Sequence, residues 1–340
     1  MGSQARGTAS GPLIESIDRT MSSKSVLVTG AAGFIGSHLT ERCLQLGCRV
    51  VAVDALTDTY SDSLKRANLV DSLENANCTF IEADLLAIDL PSLLGGVEIV
   101  FHLAAQPGVP QSWDEFDVYV SRNVLATHGL LDAARDVSLE RFVLASSSSV
   151  YGDAATLPTR EEAVPQPVSP YGVTKVATEQ LARAYWRGFA VPTVALRYFT
   201  VYGPRQRPDM AFNRLIASAL SGEVFEVFGD GTQTRDCTFV TDVVNATIAS
   251  AQYGQPGLAY NIAGGSRRSL NSVVEVLSEL TRSEVSCQYT GRRPGDARDT
   301  AADISRAHRD LGFEPSVPLE VGLQAQLEWQ RNVPARRPQD

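Results

Sequence analysis

An α/β architecture, a doubly wound parallel sheet with a smaller C-terminal α/β lobe, follows from three features of the chain. Short apolar, β-rich runs alternate with stretches whose apolar residues recur at helical spacing. A glycine-rich turn, Gly30 to Gly36, separates the first run from the first such stretch. Proline- and glycine-rich loops then break the alternation in the second half. Strand–helix alternation calls for a sheet covered on both faces, and right-handed crossovers leave few other topologies.

Residues 25–29 (SVLVT) read as the first strand and residues 37–46 as a helix. Further strands are expected at 49–53, 78–82, 98–103 and 141–146, with helical spacing between most of them, as over 124–135. Pro158, Pro165, Pro167 and Pro170 punctuate a loop ahead of a long helix from about 171 to 187. A strand at 193–197 leads to a Pro- and Gly-rich segment at 201–209, a helix at 212–220, a strand at 224–228 and a loop at 229–235. Residues 291–299 form a polar, Arg-rich loop, the kind of segment that carries function on a rigid scaffold. Residues 1–20 are small, polar and aperiodic, and read as an expression tag ahead of Met21. The expected organisation is a nucleotide domain over 21–197 with returns near 236–262, a substrate lobe over most of 198–332, and a tail at 333–340.

The 340 residues carry 30 Lys and Arg against 39 Asp and Glu, a net charge of −9. That balance disfavours nucleic acid as a partner, which requires a basic face. No apolar run is long enough for a membrane-spanning helix. The five cysteines are odd in number and lack C-x-x-C spacing, which fits reduced thiols in the cytoplasm. The four histidines are dispersed, and no metal site is expected.

Gly30-Ala31-Ala32-Gly33-Phe34-Ile35-Gly36 has a strand before it and a helix after it. Glycine permits the tight turn, and the free N–H groups of the helix start suit a pyrophosphate. Asp54 ends the second strand, 18 residues past Gly36. A carboxylate there takes a ribose diol and repels a 2′-phosphate, so NAD is expected rather than NADP. Asp84 and Leu85 follow the third strand, within reach of an adenine edge. The fourth strand ends in His102-Leu103-Ala104-Ala105-Gln106, where small residues allow close backbone approach.

Tyr171 and Lys175 stand four apart at a helix start and share one face. An ammonium beside a phenol, together with a cationic nicotinamide, favours the phenolate, so Tyr171 is expected to titrate nearer working pH and remove a proton from a substrate hydroxyl. Ser146 to Ser149 end the fifth strand, at the carboxyl edge where open α/β sheets bind ligands.

Together VLVTGAAGFIGSHL, VFHLAAQ, RNVLATHGLL, SSSSVYG, SPYGVTK, LRYFTVYGP and RRPGDARDTAADISRA resemble the extended short-chain dehydrogenase/reductase superfamily. Within it they resemble the NAD-dependent epimerases and dehydratases of nucleotide sugars. The resemblance implies a Rossmann domain with tightly held NAD, a UDP-sugar lobe and a homodimer. It implies Ser147 as the catalytic hydroxyl, Tyr171 as base and Lys175 as its partner, and adds Asn123 and Tyr198 to the cofactor positions. Dehydratases of this family carry an Asp-Glu pair where this chain has Ser148 and Ser149, and the related decarboxylases carry Glu at the second position. Neither serine can act as a carboxylate, so 4-epimerisation is expected.

The segment from Tyr198 to Phe212 resembles that of UDP-glucuronate 4-epimerases. By that analogy Arg207 holds the C6 carboxylate, with Thr200, Ser148 and Ser149 as hydroxyl partners. The alternative is a UDP-glucose or UDP-N-acetylglucosamine epimerase. A non-catalytic NAD-binding regulator is a third reading, disfavoured by intact Ser147, Tyr171 and Lys175. Arg235 and Arg293 match the family's diphosphate arginines, Val227 and Phe228 its uracil-side strand, and Thr300 lies near a position that limits sugar bulk.

Overall fold

The computed structural model describes residues 20–332. The expected tag, apart from residue 20, and the expected tail lie outside the described residues. The first half alternates as its pattern dictates: β1 (Ser25–Thr29), α1 (Phe34–Gln45), β2 (Arg49–Asp54), the short α2 (Asp62–Ala67) and α3 (Val70–Leu73), then β3 (Cys78–Glu82), α4 (Leu90–Leu93) and β4 (Ile99–His102). A broken helix follows: α5 (Phe116–Tyr119), a π-helical turn (Val120–Leu125) and α6 (Ala126–Ala133). β5 (Arg141–Ser147), the 20-residue α7 (Pro170–Phe189) and β6 (Thr193–Tyr198) complete that half.

Seven strands, the six named and β10 (Ala259–Ile262), form one parallel sheet in the order β10-β6-β5-β4-β1-β2-β3. Strand order reverses between β1 and β4, the defining feature of a doubly wound sheet. β1 and β4 are buried along nearly their whole length, as strands covered on both faces must be. One apolar layer lies under α1 and α9 (Val240–Tyr253), and includes Leu39, Val28, Val194 and Ile248. The other lies under α6 and α7, and includes Leu130, Leu131, Leu144 and Ala182.

After β6 the chain forms β7 (Thr200–Tyr202) and α8 (Ala211–Ser221) outside the seven-stranded sheet, returns to that sheet through α9 and β10 (Ala259–Ile262), and leaves it again. Within 236–262, β10 joins the seven-stranded sheet beside β6. The strand before it, β9 (Thr234–Phe239), instead joins β11 (Arg267–Ser269) and β7 in a three-stranded sheet. The expected loop at 229–235 accordingly ends two residues early, because Thr234 and Arg235 pair with Ser269 and Arg268. β8 (Phe225–Phe228) and β12 (Cys287–Thr290) form a two-stranded parallel pair, with α10 (Leu270–Thr281) between them in sequence. α11 (Ser305–Leu311) and α12 (Leu319–Asn332) close the described chain. No helix among the described residues is long and apolar enough to cross a membrane.

Candidate active site

A cavity of about 580 Å³ opens at the carboxyl ends of the central strands, where strand order reverses. Gly30 has φ of 70°, and a Cβ there would lie 2.8 Å from the Ala104 amide nitrogen. A Cβ on Gly36 would lie 2.0 Å from the Gly30 carbonyl oxygen. Only glycine fits either position. Gly33, Phe34, Ile35 and Gly36 line the cavity, and α1 has no side-chain N-cap. Its first N–H groups and the positive end of its dipole are therefore available to an anion.

Asp54 is fixed at the cavity wall: Oδ2 accepts the Ala32 N–H at 3.0 Å and Oδ1 the Leu56 N–H at 2.8 Å. Each oxygen keeps acceptor capacity for a hydroxyl. Asp84, Leu85, Leu103, Ala104, Ala105 and Gln106 line the same cavity, as does Tyr198. This wall fits a dinucleotide with an unmodified ribose: a cradle that a Cβ would fill, an open helix start, and a carboxylate at the diol position.

Asn123 lies behind that wall instead of in it. It is 1% exposed; Oδ1 accepts the Gln106 N–H at 2.6 Å and Nδ2 donates to Thr174 Oγ1 at 3.0 Å. The π-helical turn is what rotates Asn123 inward, an irregularity that recurs at functional sites. His102 is also a support. Thr127 Oγ1 donates to the Asn123 carbonyl at 2.6 Å, so it must accept from His102 Nε2 at 2.9 Å. His102 Nδ1 then accepts from Thr29 Oγ1 at 2.8 Å, and Thr29 Oγ1 accepts the Ala104 N–H at 3.2 Å. Burial, assisted by the nearby Lys175 charge, pushes His102 down to about 3, so the ring is neutral. Among the described residues no group of three His, Cys, Asp or Glu could hold a metal ion.

Ser169 starts α7, its Oγ accepting the Gly172 N–H at 3.1 Å, with Pro170 in the first turn. That start places Tyr171 and Lys175 on the cavity, facing Ser147, Ser148 and Ser149 at the end of β5. Ser147 Oγ accepts the Ser149 N–H at 3.1 Å, which fixes the turn. Lys175 Nζ donates to the Ala145 carbonyl at 2.9 Å and lies 5.9 Å from the Tyr171 ring centroid. Burial pulls Lys175 down to about 8, against the pull of Glu179. Burial also raises the Tyr171 phenol, and the Ser147 hydroxyl and the Arg207 charge only partly oppose it. Desolvation thus outweighs these favourable contacts, and the expected lowering draws on a cationic nicotinamide as well as on Lys175.

Thr200 and Arg207 line the cavity alongside Tyr171. Arg207 grips Asp209 through Nε at 3.0 Å and Nη2 at 2.8 Å, which leaves Nη1 free of that pair. Arg235 also lines the cavity and donates to Asp296 Oδ1 at 2.6 Å and to the Arg298 carbonyl at 2.9 Å. Phe228 and Arg293 line a second cavity that shares Asp296 and Ala297 with the first. The Arg293 guanidinium lies 3.4 Å from the Phe228 ring centroid. Val227 is the exception: strand alternation turns it inward, where it is fully buried in the core.

Among the lining residues that escape sequence reading are Tyr60, Lys65 and Arg122. Lys65 is 4% exposed, donates to the Thr57 carbonyl and sits 4.7 Å over the Tyr60 ring. In SLKRANL it reads as an ordinary solvated helix charge; only packing beside Asp54 buries it. An aromatic inside the polar run TDTYSDS was the available signal.

The site can hold a dinucleotide along the glycine turn, place a phenol and a hydroxyl at one point, and present cations at its outer end. The NAD dependent epimerase/dehydratase family model matches residues 26–263. A solved UDP-glucuronic acid 4-epimerase from Bacillus cereus, in complex with UDP-glucuronic acid and NAD, superposes with a TM-score of 0.88 at 41% identity, covering 90% of this chain and 99% of that one. MoeE5 in complex with UDP-glucose and NAD superposes with a TM-score of 0.82 at 46% identity, covering 90% and 98%. An uncharacterized UDP-glucose epimerase, YtcB of Bacillus subtilis, is 42% identical over 89% of this chain and 97% of its own length. The chain belongs to the NAD dependent epimerase/dehydratase family and is an NAD-dependent enzyme.

Proposed function

We propose that the chain is a UDP-glucuronate 4-epimerase that interconverts UDP-glucuronate and UDP-galacturonate. One observation carries the reading: Arg207 and Thr200 share a cavity with Ser147, Tyr171 and Lys175, while Ser148 and Ser149 supply no carboxylate. The cofactor lies along Gly30, Gly33, Phe34, Ile35 and Gly36, with Asp54 on the adenosine ribose and Asp84 and Leu85 beside the adenine.

Ser147 holds the sugar O4 and Tyr171 takes its proton. Bound NAD supplies the chemistry by accepting hydride from C4 and later returning it, and its cationic ring adds the pull that lowers the Tyr171 phenol. The transient 4-ketose turns over and is reduced on its other face, with Tyr171 returning the proton. No further acid or base is required. Arg235 and Arg293 hold the diphosphate, so the ketose stays tethered while the hexose rotates.

Arg207 has a second task. The 4-keto uronate is a β-keto acid, which loses CO₂ when its carboxylate bond aligns with the carbonyl π system. Charge-assisted hydrogen bonds from Arg207, with Thr200, Ser148 and Ser149, hold the carboxylate away from that alignment.

A specific observation favours a second reading, a UDP-glucose epimerase: Asp209 already neutralises Arg207, so a neutral hexose leaves no unpaired cation. The deciding experiment incubates the NAD-loaded protein separately with UDP-glucuronate, UDP-glucose and UDP-N-acetylglucosamine, and identifies the sugars formed. Galacturonate as the dominant product supports the proposal; turnover of neutral sugars alone rejects it.

The division into a nucleotide domain and a UDP-sugar lobe, with the cavity between them, belongs to the same proposal. So does a homodimer through α5, the π-helical turn and α7. Phe116, Leu125 and Val173 on those elements are 43%, 53% and 47% exposed, an apolar set that a second copy would cover. The five free cysteines fit a reducing compartment such as the cytoplasm.

A further inference from the structure

Behind the cavity wall lies a charged group that the proposed chemistry does not use. Glu179 and Arg197 are 6% and 5% exposed. Arg197 grips Glu179 through Nε to Oε1 at 2.9 Å and Nη2 to Oε2 at 2.7 Å. Buried ion pairs are costly to desolvate, and replacing them with apolar residues is often neutral or stabilising. A stability role therefore does not explain this one well.

Its position offers another explanation. Tyr171, Lys175 and Glu179 follow at intervals of four along α7, so they share one face. Glu179 Oε1 also accepts the Ser146 hydroxyl. Ser146 and Arg197 are register partners across β5 and β6, so Glu179 clasps a cross-strand pair from above. The residue before Ser146, Ala145, takes the Lys175 ammonium on its carbonyl, and the residue after it is Ser147. α7 is thus tied to β5 at two consecutive residues that immediately precede the catalytic hydroxyl. Arg197 anchors the far side through the Tyr151 hydroxyl at 2.8 Å, and that hydroxyl donates to Asn261 Oδ1 at 2.7 Å.

We propose that Glu179 is a positioning residue: through Ser146 it sets the distance between Ser147 and Tyr171, and through its charge it keeps Lys175 an ammonium. The inference rests on Tyr171 and Lys175 being base and partner.

The charged surroundings are few. Lys175 faces Glu179 on its own helix and the neutral His102 on β4. Glu179 faces Arg197, with the Tyr151 phenol and Glu161 beyond it. Among the described residues Glu179 is the anion acting on Lys175, and Glu179→Gln removes it. The ammonium then loses its proton at lower pH, and activity that needs it is lost earlier as pH rises.

The test is the pH dependence of kcat/KM for the NAD-loaded protein with UDP-glucuronate or UDP-glucose. In Glu179→Gln the alkaline limb is expected to move down by about one pH unit, and kcat to fall roughly tenfold with KM little changed. Glu179→Asp, which keeps the charge, is expected to hold the limb in place. Ultraviolet difference titration of Glu179→Gln against Glu179→Gln/Tyr171→Phe is expected to place the Tyr171 phenolate at higher pH than in the parent. If Glu179→Gln does not fold, Glu179→Gln/Arg197→Met removes both members of the ion pair, so Arg197 is not left unpaired, and it is expected to show a limb displaced in the same direction. A folded variant with a lower Tm but an unmoved limb and phenolate overturns the inference. Full activity in Tyr171→Phe instead overturns the underlying reading, which keeps the two failures distinct.

Discussion

At the scale of single residues, the account turns on side chains whose surroundings decide their role. Arg207 is the proposed specificity residue. Arg207→Ala is expected to raise KM for UDP-glucuronate at least tenfold, to leave UDP-glucose little changed, and to release pentose from the unrestrained β-keto acid. Chromatography of the products checks both effects. Unchanged uronate affinity without pentose would remove Arg207 from this role. Gly36→Ala is a geometric test. Its Cβ would stand 2.0 Å from the Gly30 carbonyl, so the turn must open and the purified protein should lose its bound NAD. An absorbance spectrum retaining the full complement of cofactor contradicts that. These residues were legible because glycines, Asp54, and the Tyr–Lys pair report backbone and spacing constraints written along the chain. Lys65, Glu179 and Arg197 were not. Each reads as an ordinary charge in a helix or strand, and only contacts between distant segments bury it. Val227 shows the converse limit: a segment was rightly placed in a strand, but one-residue alternation decides which of Val227 and Phe228 meets the ligand side.

At the scale of elements, the broken helix after β4 deserves a mutation of its own. Its π-helical turn presents Asn123 to Gln106 and to Thr174, and Thr174 Oγ1 donates to the Tyr171 carbonyl at 2.8 Å. Asn123 thus joins the cofactor wall to the first turn of α7. Asn123→Leu is expected to leave the Gln106 N–H unsatisfied, costing about 1–3 kcal/mol of stability and misplacing both Gln106 and Tyr171. Thermal unfolding and NAD retention, measured together, check it; an unchanged Tm with full retention contradicts it. Residues 124–135 read as a regular helix from spacing alone, yet a π-helical turn runs to Leu125 and a 3₁₀ turn begins at Ala134. Hydrophobic period does not register a single inserted residue, whereas strand, turn and cap chemistry around β1, α1 and α7 is strongly local. The second-half strands β7 and β11 are three residues each, too short for a periodic signal to stand out, and β9 (TRDCTF) mixes charged and apolar residues.

At the scale of the whole molecule, the parallel sheet was legible because its central strands are continuous apolar runs separated by helices. The exchange of chain between lobes was less so, since β10 joins the large sheet only by long-range pairing with β6. The exposed apolar set on α5, the π-helical turn and α7 belongs to this scale as well. Val173→Asp is expected to convert a dimer to a monomer in size-exclusion chromatography with light scattering; a wild-type protein that elutes as a monomer contradicts the dimer. The proposed catalysis is a whole-molecule property, because residues between Gly30 and Gln106 line the cavity from the first half, Thr200, Arg207 and Arg235 from the second, and α7 stands between. The most direct measurement follows single-turnover reduction of bound NAD at 340 nm, together with epimer formation, in Tyr171→Phe. A loss of at least about a thousandfold, with NAD and UDP-sugar still bound, is the predicted result. Parental rates in that variant would mean that another group removes the O4 proton.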